Sequence, residues 1–109
     1  MTAYTWTTGP VNSSEGASCV QVVLTNNSNS SRKAVLKLFD LAFTPRKLIV
    51  NETISLKPYG SAFVTIPLRR VCHWELRYTA YTKQVRASVN EKGRSKGASV
   101  LSRDFILLS

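Results

Sequence analysis

The chain has 109 residues, enough for one domain and too few for two. With 43% hydrophobic residues it can bury a core, which excludes wholesale disorder. No window approaches the ~18 consecutive apolar residues of a membrane span.

The formal charge is +9, from 15 Lys and Arg against 6 Asp and Glu. The excess is uneven: nine basic residues lie between Arg69 and Arg103, with only Glu75 and Glu91 among them. Such a balance favours contact with nucleic acid, anionic polysaccharide or an acidic partner surface, and it also serves solubility.

Residues 1–16 are rich in Thr, Ser, Gly, Pro and Asn, with Tyr4 and Trp6 set two apart. They read as an extended, turn-prone arm that carries two large apolar side chains on one face. The opening MTAYTWTTGP has neither a basic nor an apolar signal-peptide region, so no secretory leader is expected in this chain. The arm's aromatics either close over their own domain or dock on a neighbouring subunit as an added strand.

From residue 17 onward, strand signals recur. SCVQVVLTN ends in the polar turn NNSNSSR, and KAVLKLFDLAF runs to a break at Thr44-Pro45. Ala, Leu and Lys would also suit a helix over residues 33–43, but the segment is short and lies between strand patterns, so it reads as a strand. KLIVNETISL leads into ISLKPYGSAFVTI, which reads as a hairpin about Pro58-Tyr59-Gly60, with Gly60 free to take positive φ. Pro67 marks a strand end or edge.

CHWELRYTAYT has the clearest alternation. Trp74, Leu76, Tyr78 and Ala80 point one way, and Glu75, Arg77, Thr79 and Tyr81 the other. Val85, Ala87 and Val89 repeat it, KGRSKG is a basic loop, and ASVLSRDFILLS reads as one final strand. Turn signals every 8 to 12 residues, with no confident helix, predict an all-β chain: a single jelly-roll-like β-sandwich of about seven or eight strands over residues 17–109, preceded by the arm.

Catalytic chemistry is hard to find. His73 is the one base of the usual kind, and as a strand neighbour of Cys72 it would face the opposite side of the sheet. The carboxylates are scattered singly, and no Gly-rich phosphate loop occurs. No enzyme activity, cofactor, metal or small-molecule substrate is therefore expected. Cys19 and Cys72 could be free thiols, one disulfide, or bonds to other chains. The sequons at Asn12, Asn26, Asn29 and Asn51 read as chance products of polar turns.

Three functions remain. The first is a self-assembling structural subunit, with Tyr4 and Trp6 as anchors of the arm and Phe105, Ile106 and Leu108 lining an edge that another subunit covers. The second is a domain that binds an anionic polymer through Arg77, Lys83, Arg86, Arg94 and Lys96. The third is an adhesin or carbohydrate-binding domain using exposed Tyr59 and Tyr81.

The succession CVQVVLTNNSNSSRKAVLKLFDL, ISLKPYGSAFVTIPL and WELRYTAYTKQVRASVNEKG resembles small jelly-roll surface proteins of spore-forming bacteria, in the style of endospore appendage subunits. That resemblance, over residues 17 to about 93, implies a pilus-like homopolymer on a cell or spore surface, its N-terminal arms reaching into neighbours and often locked by disulfides. This arm contains no Cys, so such a lock would have to use Cys19 and Cys72, and the strong positive charge is a second departure. A cytoplasmic location is the alternative.

Overall fold

The computed structural model describes residues 3–13, 17–68, 70–93, 99–103 and 105–108. Its organising strand is the one with the clearest alternation in the sequence. In β7 (His73–Ala80), Trp74, Leu76, Tyr78 and Ala80 are buried, while Arg77 and Thr79 are half-buried on the opposite face. A strand that is apolar on one face must lay that face against a second layer.

The strands around it, in chain order, are β1 (Tyr4–Thr7), β2 (Val11–Asn12), β3 (Ala17–Asn26), β4 (Arg32–Asp40), β5 (Lys47–Leu56) and β6 (Ser61–Pro67). After β7 come β8 (Val85–Gly93), β9 (Ser99–Arg103) and β10 (Ile106–Leu107). They form two antiparallel sheets. The larger has the order β10-β1-β7-β4-β5, with β2 also paired to β7, and the smaller has the order β6-β3-β8-β9. The chain is an all-β sandwich.

The core lies between the sheets. Ala34, Leu36 and Leu38 of β4 and the apolar face of β7 meet Val20, Val22 and Leu24 of β3 and Val85 and Val89 of β8. Each of the buried Val and Leu side chains contributes about 1.5–3 kcal/mol on burial. Residues 33–40 are strand, as expected, because alternation in β4 places every second residue in this core.

Three expectations are corrected. ISLKPYGSAFVTI is no hairpin: β5 belongs to the larger sheet and β6 to the smaller, so residues 57–60 carry the chain across the sandwich. In that turn Gly60 N–H donates to the Lys57 carbonyl at 2.9 Å, and the residue with positive φ is Tyr59, at 55°, not Gly60. A Cβ at Gly60 would sit 3.1 Å from the Lys57 carbonyl oxygen, a tight approach that glycine avoids. The final segment is also two strands rather than one: β9 pairs with β8 in the smaller sheet, and β10 with β1 in the larger.

The third correction concerns the arm, whose described residues, 3–13, do not stand apart from the domain. β1 is inserted between β7 and β10, with Tyr4 opposite Ala80 and Trp6 opposite both Tyr78 and Leu107. β2 pairs Val11 with Trp74. Trp6 is 8% exposed and stacks on Tyr78 with ring centroids 4.7 Å apart. Truncating it removes a large buried ring. Trp6→Ala is expected to cost about 3–5 kcal/mol, read as a lowered urea midpoint. An unchanged midpoint would mean that β1 adds nothing to the domain.

Candidate functional site

Two regions gather chemistry: the seam where β1 meets β10, and the end of the sandwich where three turns converge. A third cluster, on the outer face of the larger sheet, is tied up in ion pairs about one carboxylate.

The seam is aromatic inside and aliphatic outside. Tyr4 lies 6.0 Å from Trp6, Trp6 stacks on Tyr78, and Phe105 meets Tyr78 edge-on at 4.8 Å. The Tyr78 hydroxyl donates to the Val85 carbonyl at 3.4 Å, and burial pushes its pKa up to about 12. Tyr78 is thus a neutral core residue. Beyond this box, Ile106, Leu107 and Leu108 are 66%, 42% and 50% exposed on the open edge of the sheet. Of the expected subunit contacts, Tyr4 and Trp6 therefore pack on their own domain and Phe105 is half-buried, while Ile106 and Leu108 face solvent.

The outer-face cluster centres on Glu75, which is 6% exposed. It accepts hydrogen bonds from the Thr7 hydroxyl, from Arg46 at 2.8 Å and from Arg77 at 2.8 Å. Both guanidinium groups also lie over the Phe39 ring, at 4.5 and 5.6 Å. Burial pushes the carboxyl up, but the hydrogen bonds from Thr7 and Arg77 and the charges of Arg77 and Arg46 outweigh it and hold the carboxyl below its ordinary value of 4.5. Arg77 is thereby committed to a structural pair.

The sequence-predicted anion-binding residues do not converge. Arg77 is on the outer face of the larger sheet, Arg86 is exposed on β8 of the smaller, and Lys83 sits in the β7–β8 turn with its ammonium 5.2 Å from the Tyr4 ring. Arg94 and Lys96 lie outside the described residues. Alternation and the change of sheet between β7 and β8 separate side chains that are close in sequence.

A different set of basic residues lies at the turn end of the sandwich. The turn at residues 27–31 hydrogen-bonds to both neighbouring turns: Asn27 N–H donates to the Gln84 carbonyl at 2.9 Å, and Tyr59 N–H to the Ser28 carbonyl at 3.1 Å. Asn26, fully buried, is the clamp. Its amide donates to the Ser30 carbonyl at 2.8 Å and to the Lys57 carbonyl at 3.1 Å. Its oxygen accepts from the Ser28 amide and hydroxyl. Beside this frame is a cleft of about 270 Å³ lined by Ser31, Arg32, Lys33, Ser55, Leu56 and Lys57. Sequence reasoning treated Asn26 only as a sequon and passed over Arg32, Lys33 and Lys57. Tyr59 and Tyr81, at 72% and 56% exposure, are on turns of the same end.

The cysteines are both free thiols, Cys19 half-buried on β3 of the smaller sheet and Cys72 exposed just ahead of β7 in the larger. The Cys19–Cys72 disulfide is not formed. His73 is exposed and hydrogen-bonded to the Asn12 side chain. Among the described residues, no group of three or more His, Cys, Asp and Glu could hold a metal ion, and no helix is long and apolar enough to cross a membrane.

The Glu75 cluster has a definite pH signature. A carboxyl with a lowered folded-state pKa stabilises the fold above its unfolded value and loses that contribution as pH falls through the folded one. Glu75→Gln should cost about 1–3 kcal/mol at neutral pH. The difference from the native chain should shrink as pH drops below 4.5, a trend that urea titrations across pH will check.

No protein-family model matches the chain, and no curated protein matches it. Among solved structures, it is similar to the crystal structure of Thermotoga maritima 1070, with a TM-score of 0.67 over 94% of this chain and 92% of that one, at 10% sequence identity. A likeness at that identity is one of fold, and the fold it supports is the β-sandwich.

Proposed function

We propose that the protein is a structural subunit that assembles with copies of itself by strand addition at the edges of its larger sheet. The observation that carries this reading is the pair of dissimilar edges of that sheet. One is β10, where Ile106, Leu107 and Leu108 are exposed in succession. The other, at the opposite end of the strand order, is the ten-residue β5, with Leu48 at 43% exposure. An edge strand presents unpaired backbone donors and acceptors, and apolar side chains on it favour cover by another strand.

Joining β10 of one copy to β5 of the next would extend the sheet without using the same edge twice. That contact is heterologous, and unless its rotation closes a ring it generates an open fibre. The arm contributes indirectly: β1 builds the position at which β10 pairs, while its aromatic anchors stay within their own subunit. Placement of such a fibre on a cell or spore surface belongs to the same reading and rests on the sequence resemblance.

A charge of +9 opposes the approach of identical copies, so screening should assist assembly. Light scattering after size-exclusion chromatography should give a mass that rises with protein and salt concentration, with fibres visible by negative-stain microscopy. Ile106→Ser/Leu108→Ser should return the protein to monomer. Monomer under every condition, or a dimer that does not grow, would contradict the proposal.

A further inference from the structure

The outer face of the smaller sheet carries a ring that the core does not use. Val20, Val22 and Leu24 of β3 are buried, so alternation turns Gln21, Val23 and Thr25 outward. In β6 the outward residues are Ser61, Phe63 and Thr65, and in β8 they are Arg86, Ser88 and Asn90. Register lines them up across the sheet. Ser61, Thr25 and Arg86 share one row, Phe63, Val23 and Ser88 the next, and Thr65, Gln21 and Asn90 the third. Phe63 is 70% exposed, and among the described residues no aromatic ring or cation packs on it.

A single exposed ring is ordinary. The setting of this one is not. The rows on either side of it are built from hydroxyls and amides, groups that donate and accept hydrogen bonds, together with the Arg86 guanidinium. The three rows contain no Asp or Glu, and Arg86 is exposed and outside both ion pairs of the described residues, which Glu75 makes. β3 is paired with β6 on one side and β8 on the other, so the rows are fixed before any ligand arrives, which lowers the ordering cost of binding. With β6 and β8 about 9–10 Å apart, two strand spacings, the platform spans roughly two sugar rings.

The chemistry of the face selects its occupant. A pyranose ring presents C–H bonds on its faces and hydroxyls at its rim. It can therefore lie on a phenyl ring while amides and hydroxyls bond its edge. An open sheet face holds a chain better than a small molecule, which is retained by a cavity. Charge complementarity favours an acidic chain, but a sparsely charged one, because Arg86 is the cation of these rows. A nucleic acid would present a phosphate at every nucleotide. A polysaccharide with a carboxylate on alternate sugars matches the face.

We infer that the outer face of the smaller sheet binds an acidic polysaccharide, with Phe63 under one sugar ring, Gln21, Thr65 and Asn90 on its hydroxyls, and Arg86 on the carboxylate of a neighbouring sugar. The β5 and β10 edges belong to the larger sheet, so binding and assembly can fail independently.

Fluorescence polarisation with a labelled hyaluronan decasaccharide, in which uronate and amino sugar alternate, tests it for monomer and fibre alike. Saturable binding is expected, with an affinity that falls as salt rises. Phe63→Ala removes a ring that the fold leaves in water, and should weaken binding roughly tenfold. Arg86→Gln should also weaken it and flatten the salt dependence. Ile106→Ser/Leu108→Ser should leave the affinity unchanged. Absence of saturable binding, or an affinity unaltered in Phe63→Ala, would overturn the site. Single-stranded DNA bound as tightly, with the same loss in Phe63→Ala, would overturn the choice of a polysaccharide. Equal affinity for a neutral cello-oligosaccharide of the same length would overturn the assignment of an acidic one.

Discussion

The larger sheet depends on the insertion of β1 between β7 and β10. β10 has its strand partner in β1, and β1 is held against β7 by the stack of Trp6 on Tyr78. Without β1, the middle of β7 would become an edge and the Phe105–Leu108 segment would lose its docking strand. The same ring that closes the core therefore also creates the apolar edge to which we assign assembly. Stability and the proposed interface are linked through one aromatic contact, and both follow from a Tyr-x-Trp spacing that puts two rings on one face of a strand.

Charge is divided just as unevenly. On the outer face of the larger sheet, one buried carboxylate holds two guanidinium groups, so Arg46 and Arg77 are spent on structure. At the turn end, no acid answers Arg32, Lys33, Lys57 or Lys83 within the turn segments that carry them. A net charge of +9 consequently says little about binding until these two populations are separated.

Much of the fold was legible in the sequence because it rests on period-two patterning. The alternations in β7 and β8 set Trp74, Tyr78 and Val89 on the faces that the core buries. What sequence spacing does not encode is the sheet to which a strand belongs. Lys-Pro-Tyr-Gly identified a turn, yet that turn bridges the sandwich instead of folding a hairpin. The same blindness grouped Arg77, Lys83 and Arg86, which the crossing from β7 to β8 disperses over different faces. Phe105–Leu108 was readable as an apolar edge, but the fate of Tyr4 and Trp6 was not, because a polar arm with two rings fits its own domain or another's equally well. The clamp made by Asn26 was hidden for a further reason. Its partners, Ser30 and Lys57, lie on separate turns, and only the tertiary fold brings them together. A readable clue was nonetheless present: SSRK and SLK are basic turn-flanking segments with no acid beside either.

The most direct measurement is amide hydrogen exchange of the full chain at low and high protein concentration, followed over residues 47–56 and 105–108. Head-to-tail strand addition predicts that both segments gain protection together as the mass grows, since each supplies one side of the new ladder. Unchanged exchange in both segments while assemblies form would contradict the account, as would protection confined to residues 105–108, which would point to a closed pairing of β10 with β10.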